Sequence, residues 1–138
     1  MSELKPELSK KNKYWLPKHR YYELKHFCLQ YPAWVEELRN INLYGSINYF
    51  KGGRGKDYGD PTFALVCARE DLTIKIDLVD RCLKAADHEI SEWIKIGVTC
   101  GYSFNYLKNK LNIPCERDMY YDRVRKFFYI LSQEKHSV

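Results

Sequence analysis

No run of about 18 uncharged apolar residues occurs in the chain, which excludes a membrane-spanning helix of ordinary length. The first thirteen residues, MSELKPELSKKNK, hold four lysines and no aromatic side chain, so no secretion signal is expected there. They bury little and read as a flexible basic arm over residues 1–13. Paired cysteines are missing too. Cys28, Cys67, Cys82, Cys100 and Cys115 lie 39, 15, 18 and 15 residues apart, and without a CxxC pair neither a metal site nor redox chemistry is expected. Reduced, mostly buried thiols in a cytosol are the expectation, and with them a cytoplasmic location.

Catalytic groupings are equally scarce. His19 and His26 sit seven apart on one predicted helix, and Cys28, two residues after His26, faces elsewhere. Asp77 and Asp80 share a helix face, a pattern that charge-balanced helix surfaces produce routinely. No enzyme, cofactor or metal is expected.

What is present favours folding. The 138 residues are 45% apolar and 15% aromatic with 30% charged, enough for one domain with a buried core. The net charge of +5 is uneven. Residues 1–60 carry eleven Lys/Arg against seven Asp/Glu, residues 61–102 five against seven, and residues 103–138 seven against four. Basic ends suit a polyanion, and the acidic middle suits scaffold or a protein interface.

Periodicity predicts an all-α helical bundle. In residues 14–59 a helical pair is followed by a loop. Tyr21, Leu24, Phe27 and Cys28 define a first helix between Pro17 and Pro32. Trp34, Leu38 and Ile41 define a short second one, through Leu38. From Leu43 to Asp60, LYGSINYFKGGRGKDYGD has five glycines and no stable period, and reads as a long loop. It is either a connector or a phosphate- or partner-contacting segment using Tyr49, Lys51, Arg54 and Lys56. It is not a Walker loop, because Phe50 occupies the first glycine position and Asp57 replaces the Ser/Thr. Asp60-Pro61 then starts a long central helix over residues 60–86. Its apolar positions run from Leu65 through Ala68, Leu72, Ile76, Val79 and Leu83, with no internal glycine or proline. Such a helix is the strut of a bundle or one half of a dimer seam, and the strut is preferred because the repeat is short.

Residues 87–138 read as a helix-turn-helix unit. Asp87 is expected to cap a helix from His88 to Cys100, and Gly101 to stop it. Ser103 is expected to cap FNYLKNKL, and Asp118 to cap MYYDRVRKFFYIL. On the final helix Tyr120, Val124, Phe127, Phe128 and Leu131 form an apolar stripe. The opposite side carries Asp122, Arg125, Lys126 and Tyr129, with Tyr121 and Arg123 on the flanks. That basic and aromatic face suits a helix reading DNA, with early residues at base edges and cations on phosphates. A solvated amphipathic helix is the plainer alternative. The candidate nucleic-acid contacts are Lys108, Lys110, Arg117, Tyr121, Arg123, Arg125 and Lys126.

The blocks YYELKHFCLQYPAW (Tyr21 to Trp34), DPT (Asp60 to Thr62), VTCG (Val98 to Gly101) and NIPCERDMYYDRVRKFFYIL (Asn112 to Leu131) together resemble a family of small helix-turn-helix proteins. These are the sigma-like late-transcription regulators, of ArpU/RinA type, of phages and prophages of Gram-positive bacteria. The resemblance implies a bacteriophage protein in the host cytoplasm and a fold similar to sigma region 4. It places Tyr121, Arg123, Arg125 and Lys126 toward DNA, with host RNA polymerase as a partner. The competing expectation is a phage inhibitor of anti-CRISPR type that blocks a host defence nuclease. For that role the aromatic residues Tyr44, Tyr49, Phe50 and Tyr58 would be interface anchors. A homodimer is compatible with either.

Overall fold

A computed structural model describes the backbone of residues 12–52 and 61–137, and side-chain environments over 12–43 and 63–135. The mobile arm expected over 1–13 lies almost wholly outside them, as does the expected Asp60 cap. The described residues form six α-helices and no strand, so the fold is all-α. The helices are α1 (Lys18–Leu29), α2 (Tyr31–Gly52), α3 (Pro61–Ala86), α4 (Ser91–Cys100), α5 (Phe104–Leu111) and α6 (Arg117–Ser137).

They belong to two compact units. One comprises Met1–Gln30 and Leu78–Val138, and the other Tyr31–Asp77. The boundary between the two units, at Asp77 and Leu78, falls inside α3.

In the first unit, α1 packs on α4 and α6, and α4 packs on α5 and α6. Pro17 stands just before α1, and its carbonyl accepts the Tyr21 amide at 2.9 Å. Tyr21, Leu24 and Cys28 turn inward, one helical turn apart. The α6 stripe of Tyr120, Val124, Phe127, Phe128 and Leu131 is buried throughout. Tyr21 meets Phe128 edge-on at 5.3 Å, a favoured geometry for paired rings. Arg20 ties α1 to the far end of α6, donating from Nε to Ser132 Oγ at 3.0 Å and from Nη2 to the Ser132 carbonyl at 3.1 Å.

In the second unit Tyr31, Trp34, Ile41 and Leu72 are buried, and the Lys75 ammonium lies 5.6 Å from the centre of the Trp34 ring. Here the loop expectation is corrected. α2 is 22 residues long and runs on through Tyr44, Tyr49 and Lys51 to Gly52. A lone glycine inside a helix costs only about 1 kcal/mol, so Gly45 does not break it. Tyr44, Ile47 and Phe50 continue from Ile41 in steps of three. The breakers become dense only at Gly52, Gly53 and Gly55. Arg54 and Lys56 lie outside the described residues, and so does any loop role for them.

Three further boundaries differ from expectation. α4 starts at Ser91 rather than His88, because residues 88–90 form a turn. α6 starts at Arg117 and continues past Leu131 to Ser137, and Asp118 lies in its first turn rather than at its cap. Only Cys28 and Cys82 are buried. Cys67 and Cys100 are exposed and Cys115 is intermediate, so the thiols are not mostly buried.

Candidate nucleic-acid interface

α4 and α5 are joined by three residues, Gly101 to Ser103. Gly101 has φ 80°, and its amide reaches the Gly97 carbonyl at 3.0 Å. This is the left-handed helix stop that glycine adopts at least cost. Ser103 then begins α5, its hydroxyl accepting the Tyr106 amide at 3.3 Å, which satisfies one of the unpaired amides at a helix start. At the other end Asn112 has φ 53°, and the Ile113 amide returns to the Leu107 carbonyl at 3.2 Å. Trp93 of α4 donates its indole N–H to the Leu111 carbonyl at 2.9 Å. Both ends of this eight-residue helix are therefore tied down, as a helix too short to be stable alone requires.

α5 buries Phe104 and Leu107. It exposes Asn105, Tyr106, Lys108, Asn109 and Lys110. Tyr106 stacks on Tyr102 with ring centres 4.1 Å apart, and the pair stands in solvent at the α4–α5 turn. No carboxylate occurs between Glu92 and Glu116.

Of the expected contact residues on α6, Arg117 is exposed, with its guanidinium carbon 5.6 Å from the centre of the Tyr121 ring. Tyr121 is half-buried and meets Tyr120 edge-on at 5.0 Å. Lys126 is partly exposed. Arg125 is also partly exposed, but among the described residues its buried Nε has no hydrogen-bond partner. Arg123 is committed elsewhere: its Nε donates to Asp87 Oδ2 at 2.9 Å and its Nη1 to Asp122 Oδ2 at 2.6 Å. Asp87 Oδ1 meanwhile accepts the Glu89 and Ile90 amides at 2.8 and 3.0 Å. Burial pushes the Asp87 carboxyl up. The Ile90 amide, Arg123 and the Glu89 amide outweigh it, leaving the group below its ordinary 3.8.

Lys110, Arg117 and Lys126 thus offer charge to solvent, as does Lys108, whose Nζ also donates to the Ile113 carbonyl at 3.5 Å, whereas Arg123 commits its guanidinium to Asp87 and Asp122. Tyr49 and Lys51 fall in α2 with their side chains outside the described set. Asn105, Tyr106 and Asn109 were not among the residues singled out from spacing. The signal that marks them is the carboxylate-free stretch from Trp93 to Cys115. Elsewhere, Asp80 pairs with Lys95 at 3.5 Å, and His26 is exposed while Cys28 is buried. Among the described residues no three His, Cys, Asp or Glu side chains are grouped as metal ligands, and no helix is long and apolar enough to cross a membrane. Neither the protein-family models nor the curated proteins nor the solved structures contain a match to this chain.

Proposed function

We propose that the protein binds double-stranded DNA through α5 and the first half of α6, and acts as a bacteriophage regulator of transcription in the host cytoplasm, in concert with host RNA polymerase. One observation carries this reading: a short helix free of carboxylates, held at both ends, turns a wholly polar and basic face to solvent across a three-residue glycine turn. Paired helices with such a turn are the means by which helix-turn-helix proteins present a side chain set to a groove. Lys108, Lys110, Arg117 and Lys126 supply phosphate neutralisation. The phage origin and regulatory role rest on the sequence resemblance alone.

The test is fluorescence anisotropy of the full chain with labelled duplexes across a salt series. Each phosphate contact adds about 0.9 to the slope of log affinity against log salt, so a variant with Lys108, Lys110 and Lys126 changed to alanine should lose between two and three units. An unchanged slope, or no binding by the parent protein, overturns the proposal.

One observation favours a second reading. On α3, Phe63, Val66 and Ile74 are 67%, 46% and 60% exposed, and at 100° per residue they fall within about 80° of one another, a row on one helix face rather than single scattered side chains. A protein partner would cover them, as in an inhibitor of a host defence nuclease. A salt-tolerant complex with such a nuclease, formed without DNA, would favour that reading.

A further inference from the structure

We infer that α5, not α6, is the helix that reads bases, with Asn105 and Asn109 meeting adenine edges in the major groove and Lys108 and Lys110 gripping phosphates on either side. This rests on the DNA-binding reading above and adds the division of labour within it.

The geometry follows from 100° per residue. Phe104 and Leu107 point to the core. Asn105 and Asn109 are one turn apart, about 6 Å, on the face opposite, and both are exposed. Lys108 and Lys110 are two residues apart, about 200° around the helix, so they lie on opposite flanks of that asparagine row. A helix seated in a groove meets one phosphate strand on each flank. With its side chains an α-helix is about 10 to 12 Å across, which matches the roughly 12 Å width of the major groove. Tyr106, beside the asparagines, is stacked on Tyr102.

Asparagine is a poor helix former, so two outward-facing copies in an eight-residue helix do nothing for helix stability. What the side chain offers is a carbonyl and an amino group side by side, the pattern that pairs with the N7 acceptor and N6 donor of adenine. α6 is less suited. Tyr121, Asp122, Arg123, Arg125 and Lys126 are all only partly exposed. Arg123 is bound to two carboxylates, and Asp118 and Asp122 would face phosphate with the wrong sign.

The experiment begins by selecting duplexes from a randomised pool with the full chain. Anisotropy is then measured on the selected site and on single base-pair changes, for the parent, Asn105→Ala, Asn109→Ala, Lys110→Ala and Lys126→Ala. Alanine raises helix propensity at both asparagines, and melting curves confirm that each variant is folded. The expected result is a selected site containing A·T pairs. Each asparagine variant should lose roughly 5- to 100-fold discrimination at one of them, with an unaltered salt slope. Lys110→Ala should flatten the slope by about 0.9 and leave the preference intact. Discrimination unchanged in both asparagine variants overturns the inference, as does a preference that moves with Lys126→Ala. Sequence-blind binding by the parent also overturns it while leaving DNA binding standing. A folded parent that binds no duplex overturns both.

Discussion

Asp87 and Arg123, 36 residues apart, join the turn before α4 to the face of α6 through a 2.9 Å hydrogen bond from Nε to Oδ2. The same carboxylate holds the Glu89 and Ile90 amides. One side chain thus orders the entry to α4 and fixes the rotation of α6 against it. The Arg123 side chain is 32% exposed and that of Asp87 only 11%. Solvent weakens the pair, but its loss is felt mainly at the more enclosed carboxylate.

Arg123→Ala should therefore lower stability by about 1 kcal/mol, a charged hydrogen bond discounted for partial exposure. Lys126→Ala should stay within about 0.5 kcal/mol of the parent. Urea melts of the two variants decide it. Equal stabilities would mean that the Asp87 contact adds nothing in solution.

The same pair sets an acid limit. Because Asp87 titrates below 3.8 when folded, its contribution is complete at neutral pH and persists as pH falls to about that value. It is then lost as pH drops through the lower folded value. Asp87→Asn should be less stable than the parent at pH 7, with the gap narrowing below pH 4. A gap that is constant from pH 7 to pH 3 would contradict this assignment.

Gly97 sits inside α4 where a Cβ would overlap the Tyr120 hydroxyl. Gly97→Ala gains helix propensity but forces apart two packed helices, and overpacking of this kind costs about 1 to 3 kcal/mol. Tyr120→Phe removes the obstructing oxygen. The double variant should be more stable than the sum of the two single effects predicts, as thermal melts would show. Additive effects would place the clash elsewhere.

Phe127 is wholly buried, and Phe127→Ala should cost about 3 to 5 kcal/mol. On the proposed DNA-binding reading, the fraction that remains folded should keep the parent salt slope. A flattened slope would instead mean that the core change had displaced the basic residues of α5 or α6.

Thiol chemistry separates the cysteines. Burial pushes the Cys82 thiol up to about 11, with Glu134 raising it further, and pushes the Cys28 thiol higher still, with Cys82 adding to the effect. In native protein at pH 8, a thiol reagent should modify Cys67 and Cys100 first and Cys115 more slowly. Cys28 and Cys82 should react only after denaturation. Mass spectrometry of the labelled peptides reads the order, and early loss of Cys28 would contradict its burial.

Local periodicity and capping carried the all-helical class, the span of α3, the Gly101 stop, the Ser103 cap and the buried stripe of α6. Each depends on residues within a turn or two of one another, so spacing alone encodes them. The continuation of α2 past Gly45 was not legible, because a glycine's modest cost is outweighed by packing that spacing does not reveal. The role of Arg123 was hidden for a related reason. Its helical position marks it as outward-facing, but Asp87 approaches from another element 36 residues away, and no repeat in the chain records that meeting. Tertiary structure likewise decided which basic face stands free. α6 is packed along its length against α1 and α4, whereas α5 turns Asn105, Tyr106, Lys108, Asn109 and Lys110 to solvent. Sequence therefore determined most of the helical segments, all but the second half of α2, and packing determined how far that helix runs and which charges remain available.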